Sequence, residues 1–443
     1  MKRLHAELAL LPEGFAREVL IAWDEQGRLV EVQPDAARPE GAERIAGLVV
    51  PGLPNLHSHA FQRAFAGLTE YRGSTQDSFW TWRDLMYRFA GAITPDELEA
   101  IATQLYVEML RAGYTSVCEF HYVHHDPAGR PYANPAEMSL RLVAAAQRAG
   151  IGLTMLPVLY QTSGFGAKPP REDQKRFLNE VDGLLRIVEA LRAQGVRSGV
   201  APHSLRAVPP AALKDLLDGI TAIDASAPIH IHVAEQMQEV EDCLAWSGQR
   251  PVQWLLDHAP VDARWCLVHA THLDDREREG TRQCGAVIGL CPSTEANLGD
   301  GVFDATAWHG AWGIGSDSHA SVDAAEELRL LEYTQRLARR QRNVLADEAR
   351  PDVAEAMWQS AVAGGAQAAG RPIAGMAVGQ QADFVVLGDR LLDDLTPSQQ
   401  LASHVFASQR RNTVQEVWVG GSCRVQNGLH PGAASAVERF VAA

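Results

Sequence analysis

Short apolar runs rich in β-branched residues recur along most of the chain, each followed by a stretch with helical spacing. Strands buried on both faces of a parallel sheet read as continuous apolar runs rather than as alternation. On that basis strands are predicted at 48–53, 115–122, 152–160, 198–202, 228–233, 265–270, 286–291 and 313–316. Helices are predicted at 95–111, 136–149, 173–194, 210–223 and 324–340. The first carries its own start signal: Thr94 as N-cap, Pro95 in the first helical position and Glu97 at the capping-box position. Leu98, Ile101, Leu105 and Leu110 make its apolar stripe, and Gly113 can end it. Eight strand-then-helix units in series predict an α/β fold, a closed parallel (β/α)8 TIM barrel. A doubly wound sheet is the rival, but no G-x-G-x-x-G follows any of the strands.

The two ends follow a different pattern. Around 15–47, alternating stretches are broken by turns such as Asp24-Glu25-Gln26-Gly27. Around 375–430 the same happens, and 414–419, Gly420-Gly421 and 422–425 read as a hairpin. Both ends are therefore expected to pair into one small β-sandwich domain, residues 1–48 with 375–443, beside a barrel of residues 49–374.

Composition narrows the partners. Of 443 residues 46% are hydrophobic and 21% charged, as in a folded, soluble protein. The formal net charge of −15 argues against nucleic acid or an anionic membrane, since both need a basic surface. An anionic substrate would have to be captured by local cations. The six cysteines, Cys118, Cys243, Cys266, Cys284, Cys291 and Cys423, include no C-x-x-C pair, and several sit in apolar runs. That usage predicts reduced thiols and a cytoplasmic protein. Met1-Lys2-Arg3 opens a poor signal peptide, interrupted by Glu7 and ended by Pro12-Glu13-Gly14. No uncharged apolar stretch is long enough to span a membrane.

Candidate chemistry gathers at the predicted strand ends, where barrel active sites sit. Asn55-Leu56-His57-Ser58-His59 closes the first barrel strand, and alternation puts His57 and His59 on one side of it. By itself H-x-H is as easily two incidental histidines. In Ile229-His230-Ile231-His232-Val233-Ala234-Glu235, His232 is nearest the strand exit, while His230 lies deeper and reads as a core histidine. His269 ends the sixth strand and Asp317 the eighth. Their joint placement is what points to a metal site of His57, His59, His232 and Asp317. Three neutral imidazoles and one carboxylate suit one Zn²⁺, and Fe²⁺ or Mn²⁺ could use the same ligands. The metal would lower the pKa of a bound water to about 7, making hydroxide available to attack a small C–N substrate. Glu235 could shuttle protons, His269 orient the hydroxide and hold developing charge, and Asp317 accept a proton as well as bind metal.

At these residues the sequence resembles the amidohydrolase superfamily, whose members carry H-x-H on strand one, His on strands five and six and Asp on strand eight. The resemblance covers nearly the whole chain. Gly375-Met376-Ala377-Val378-Gly379-Gln380-Gln381-Ala382-Asp383-Phe384 is similar to the entry into the family's small β domain. His232-x-x-Glu235 is similar to the one-metal deaminase branch, and 199–203 lacks the strand-four Lys of two-metal branches. Asn55–Arg63 through His57 and His59, Glu119-Phe120-His121-Tyr122-Val123-His124, Ala201-Pro202-His203-Ser204-Leu205-Arg206 and Thr294-Glu295-Ala296-Asn297-Leu298-Gly299-Asp300-Gly301 resemble the formimidoylglutamate deiminase family of histidine degradation. That resemblance implies hydrolysis of N-formimino-L-glutamate to N-formyl-L-glutamate and ammonia, and a homodimer. It also implies that Gln62, Arg83, Tyr122, His203 and Arg206 hold the two substrate carboxylates, for which Arg offers paired hydrogen bonds. The rivals are a related deaminase or chlorohydrolase acting on a neutral heterocycle, and a metal-stabilised binding protein without turnover.

Overall fold

The structure, a computed structural model, describes residues 2–71, 78–407 and 413–443. The N-terminal segment forms β1 (Lys2–Leu11), β2 (Gly14–Trp23), β3 (Leu29–Gln33) and β4 (Glu43–Pro51). Eight strands follow: β5 (Leu53–Ser58), β6 (Tyr114–His121), β7 (Gly152–Leu159), β8 (Ala201–Pro202), β9 (Ile229–Val233), β10 (Trp265–His269), β11 (Val287–Leu290) and β12 (Trp312–Ile314). They form two parallel four-stranded arcs, β5 to β8 and β9 to β12. Bridges from Val200 to Ile229 and from Ser204 to His232 join the arcs on one side. A bridge from Ser58 to Asp317 joins them on the other, so the barrel closes.

Helix Pro95–Arg111 follows β5 at a distance and begins as its sequence predicts: Glu97 N–H donates to Thr94 Oγ1, and Thr94 N–H to Glu97 Oε2, at 3.3 and 2.7 Å. The predicted 173–194 helix begins only at Val181, in helix Val181–Ala193. Tertiary contacts override helical spacing there. Gln174 is buried with its amide donating to the Tyr87 and Tyr160 hydroxyls at 3.2 and 2.9 Å, and Arg176 Nε donates to the His125 carbonyl at 2.8 Å. The predicted strand 48–53 is likewise two elements. Val50 and Pro51 pair with Val385 and Phe384, and a new strand starts at Leu53. A continuous apolar run carries no mark of where one buried strand ends and the next begins.

The C-terminal segment adds β13 (Phe384–Leu387), β14 (Val414–Val419) and β15 (Ser422–Gln426). With the N-terminal strands they make a seven-stranded sheet in the order β15-β14-β13-β4-β1-β2-β3. Three strands separate β2 from β14, yet Trp23 meets Trp418 with ring centroids 5.7 Å apart. The sheet therefore curls until its two halves enclose their own core, with Leu4, Ile21, Val49 and Phe384 inside. Residues 2–11, which read only as an interrupted apolar run, lie in its interior, and Glu7 sits at a register shift and pairs with Arg44. The Trp358 indole, on helix Val353–Ala369, donates to the Pro51 carbonyl at 2.9 Å and ties sheet to barrel. Among the described residues no helix is long and apolar enough to cross a membrane.

Candidate metal centre and active site

Several barrel strand exits are strained. Ala234, His269, Asp317 and His319 all have positive φ, between +46° and +67°, which non-glycine residues seldom adopt and which collects at functional sites. Gly315 lets the exit of β12 pass β5, since a Cβ there would lie 2.8 Å from the His57 backbone N and O. The close approach is used: Asp317 N–H donates to His57 O at 3.0 Å, and His59 N–H to Asp317 O at 3.2 Å. Two exits from opposite ends of the barrel sequence are thereby locked together.

His57, His59, His232 and Asp317 are all buried, and one ligand atom from each lies within 4.8 Å of the others. His57 Nε2 is 3.1 Å from His59 Nε2 and 3.0 Å from His232 Nε2. Asp317 Oδ1 lies 3.3 and 3.2 Å from the Nε2 atoms of His57 and His59. His59 Nδ1 contacts the Phe120 carbonyl at 2.8 Å and His232 Nδ1 the His203 carbonyl at 3.2 Å. Those carbonyls accept from Nδ1–H, which leaves lone pairs on both inward Nε2 atoms. His57 can offer one proton between two such neighbours, so the arrangement is repulsive without a cation at its centre. Burial holds His57 down to about 3 and His59 and His232 below their ordinary value, which favours neutral imidazoles. Burial pushes Asp317 up, but contact with His57 and His59 outweighs it and holds the carboxyl well below the usual range. Three neutral imidazoles and a carboxylate are a fitting donor set for a divalent metal.

A brace stands behind the two β5 histidines. The buried Glu119 carboxylate, on β6, accepts from Ser58 Oγ at 2.7 Å, Ala60 N–H at 2.7 Å and Tyr106 Oη at 3.0 Å. It thus grips the chain on both sides of His59. Burial pushes Glu119 up to about 7.

Beside the metal ligands stand Glu235 and His269. Glu235 Oε1 lies 3.6 Å from His269 Nε2, and His269 Nδ1 lies 3.3 Å from Glu295 Oε1. Burial pushes Glu235 up to about 7. Burial acts downward on His269, but Glu235, Glu295 and Asp317 overcome it and raise the imidazole to about 10.

The same pocket continues to a second set of polar groups, Gln62, Arg83, Tyr122, His203 and Arg206. Gln62 Nε2 donates to Tyr122 Oη at 3.0 Å. The Arg83 and Arg206 guanidiniums both face the Trp80 ring, 4.6 and 5.8 Å from its centroid. Among the described residues neither forms an ion pair, and the Nε of each is buried without a hydrogen-bond partner. Cations left in this state are open to an incoming anion.

Residues 48–423 match the Amidohydrolase family model, and residues 1–46 match the model described as Formimidoylglutamate deiminase HutF, N-terminal domain. The chain belongs to the amidohydrolase family. This amidohydrolase is 52% identical to formimidoylglutamate deiminase of Pseudomonas aeruginosa, over 450 residues covering 100% of this chain and 98% of the relative. The crystal structure of an amidohydrolase from Brucella melitensis superposes with a TM-score of 0.95 at 48% identity, covering 100% of this chain and 98% of that one. The atrazine chlorohydrolase of Arthrobacter aurescens TC1, complexed with zinc, shares the fold with a TM-score of 0.84 at 19% identity, covering 100% and 99% of the two chains.

The residues singled out in the amidohydrolase's sequence come together. His59, His232, Glu235, His269 and Asp317 line the pocket with the carboxylate-binding candidates, and His57 lies fully buried beneath. His230 is turned into the core, with Nε2 2.9 Å from the Ala368 carbonyl. Other residues at the site were not singled out. Tyr160, one residue beyond β7, obeys the same strand-end rule and could have been found by it. Trp80 and Tyr87 lie on helix Phe79–Ala92 together with Arg83, where no local pattern marks them. Glu295 and Asp300 lie in the 294–301 stretch that carries the family resemblance, but it gave them no role, and only the fold brings them to His269.

Proposed function

We propose that the protein is a formimidoylglutamate deiminase, hydrolysing N-formimino-L-glutamate to N-formyl-L-glutamate and ammonia in histidine degradation. One observation carries the reading: a single pocket joins the His57, His59, His232 and Asp317 cluster to two guanidiniums that form no ion pair among the described residues. A dicarboxylate amidine needs both ends, whereas a neutral heterocycle needs only the first. The 52% full-length identity to the Pseudomonas aeruginosa deiminase supports the same substrate.

His57, His59, His232 and Asp317 would hold one zinc, as the zinc-bound relative with this fold suggests. Such an ion supplies a water acidic enough to furnish hydroxide at neutral pH, pKa about 7. Oxygen adds to the formimino carbon, the C=N bond becomes single, and the tetrahedral carbon then expels ammonia to leave the formyl carbonyl. Glu235 takes the water proton on a carboxylate oxygen and delivers it to the departing nitrogen. Its buried position, which pushes it up to about 7, suits both halves of that transfer. His269, held between Glu235 and Glu295, orients the attacking oxygen and offsets the developing negative charge. Asp317 assists as a proton acceptor. Arg83 and Arg206 clasp the two substrate carboxylates, with Gln62, Tyr122 and His203 completing the pocket. The reading includes a homodimer in the cytoplasm; the second point is supported by six unpaired thiols.

The test is ammonia release from N-formimino-L-glutamate, its aspartate analogue, adenosine, guanine and cytosine. Preference for the formimino dicarboxylate is expected. Preference for a nucleobase would replace the reading by that of a neutral-heterocycle deaminase, and no turnover of any would favour a binding protein.

A further inference from the structure

Asp300 belongs to none of the roles assigned above. It lies between helix Pro292–Leu298 and β12 and is 5% exposed. Its placement is firm: its N–H donates to the Glu295 carbonyl at 3.0 Å, its carbonyl meets His272 Nε2 at 2.9 Å, and the Gln236 side-chain amide donates to Oδ1. The other carboxylate oxygen, Oδ2, is buried and has no partner. One oxygen of Asp300, one of Glu235 and a ring nitrogen of His269 all lie within 4.8 Å of one another. A buried carboxylate oxygen left unpaired is costly, and it is resolved by protonation, by a bound water or by a donor that arrives with a ligand.

The pocket is bipolar. Glu235, His269 and Asp317 line one end, with Glu295 and Asp300 set behind them around His269, and Arg83 and Arg206 line the other. A formimino group is an amidine, a strong base that is protonated at neutral pH, while the rest of the substrate carries two carboxylates. A cationic group brought beside a divalent metal is repelled by it, and Asp317 is already engaged as a ligand. Negative charge beyond the ligands favours such a cation: burial and the neighbouring Glu235 push the Asp300 carboxyl up to about 9, and a cation seated beside its unpaired oxygen is what favours the ionised form.

We infer that the substrate binds as its amidinium cation and that Asp300 is the residue that selects that charge, receiving with Glu235 the N–H groups of the nitrogen that departs. This rests on the deiminase reading and deepens it. The product, N-formyl-L-glutamate, has the same carboxylates but a neutral carbonyl in place of the amidinium, so it separates the two ends of the pocket.

The experiment compares wild type with Asp300→Asn, which keeps the size of the side chain and an acceptor for Gln236. Steady-state ammonia release gives kcat/KM for N-formimino-L-glutamate, competition gives Ki for N-formyl-L-glutamate, and metal is counted per chain. Loss of a charged acceptor should lower kcat/KM by about 10-fold or more, with metal content retained and Ki for the product within about 2-fold of wild type. Asp300→Glu, which restores the charge, should recover part of the preference for the amidinium over the product. Equal losses for substrate and product would make Asp300 a packing residue, and kcat/KM within about 2-fold of wild type would remove the assignment while leaving the deiminase reading intact. Absence of wild-type turnover would instead remove that reading and this assignment with it. If the Asn variant does not accumulate as folded protein, Asp300→Ser supplies the same substrate-to-product comparison.

Discussion

The metal end and the arginine end of the pocket are both buried and polar, but they are satisfied in opposite ways. At the metal end the groups face inward on one another: His57, His59, His232 and Asp317 converge within 4.8 Å, with the outer nitrogens of His59 and His232 held by the Phe120 and His203 carbonyls. At the arginine end the groups face an open volume, and the Nε atoms of Arg83 and Arg206 have no partner. In the proposed function the first end is completed by a cation that stays, the second by an anion that comes and goes. We propose that this contrast is how a protein of net charge −15 takes a dianionic substrate. In that proposal the attraction comes from two local cations, which form no ion pair among the described residues.

The largest expected effect is at the metal end. His57→Ala should abolish metal binding and activity together, because a four-ligand set cannot close around three residues whose remaining lone pairs repel. Metal analysis of the purified variant checks this; full occupancy would show that the convergence of nitrogens is a packing accident. Glu235→Gln should behave differently, keeping its metal while turnover falls by about 10²–10⁴-fold. A variant close to wild type in kcat would reduce Glu235 to a carboxylate at a strand exit.

Between these and the arginines stands the brace. Glu119→Gln leaves one carbonyl to face the three donors Ser58, Ala60 and Tyr106, and it should lower metal affinity by roughly 10- to 100-fold as second-sphere losses do. Metal loss to a chelator measures it, with kcat at saturating metal near wild type. Unchanged affinity would mean that Asp317 and the backbone bonds to it suffice to hold His59.

The smallest effect is expected at the open end. Arg83→Met and Arg206→Met should each lower kcat/KM by about 10-fold or more, since a charge-assisted hydrogen bond is worth about 1.5–3 kcal/mol. Metal content should remain normal, and preference over an analogue with one carboxylate amidated should shrink. If both variants process the dianion as well as wild type, the two ends of the pocket do not divide the work, and the neutral-heterocycle alternative regains its place.

The chain's local pattern was enough for the barrel, the metal ligands and the capped helix at Thr94. These depend on rules that act over a few residues: apolar runs for buried strands, period-two alternation for His57 and His59, and strand exits for His232, His269 and Asp317. Other features required the assembled molecule. The break between β4 and β5 is invisible in a continuous apolar run, and the pairing of β4 with β1 and β13 spans most of the chain. Gln174 and Arg176 leave the expected helix because distant hydroxyls and carbonyls hold them. Tertiary structure alone also decides which charges remain unpaired. Arg83 and Arg206 have the same chemistry as the arginines bound to carboxylates elsewhere, and Asp300 the same as any acid in a turn. Only packing withholds a partner from them, and a group left unsatisfied in a buried pocket is what makes room for a ligand.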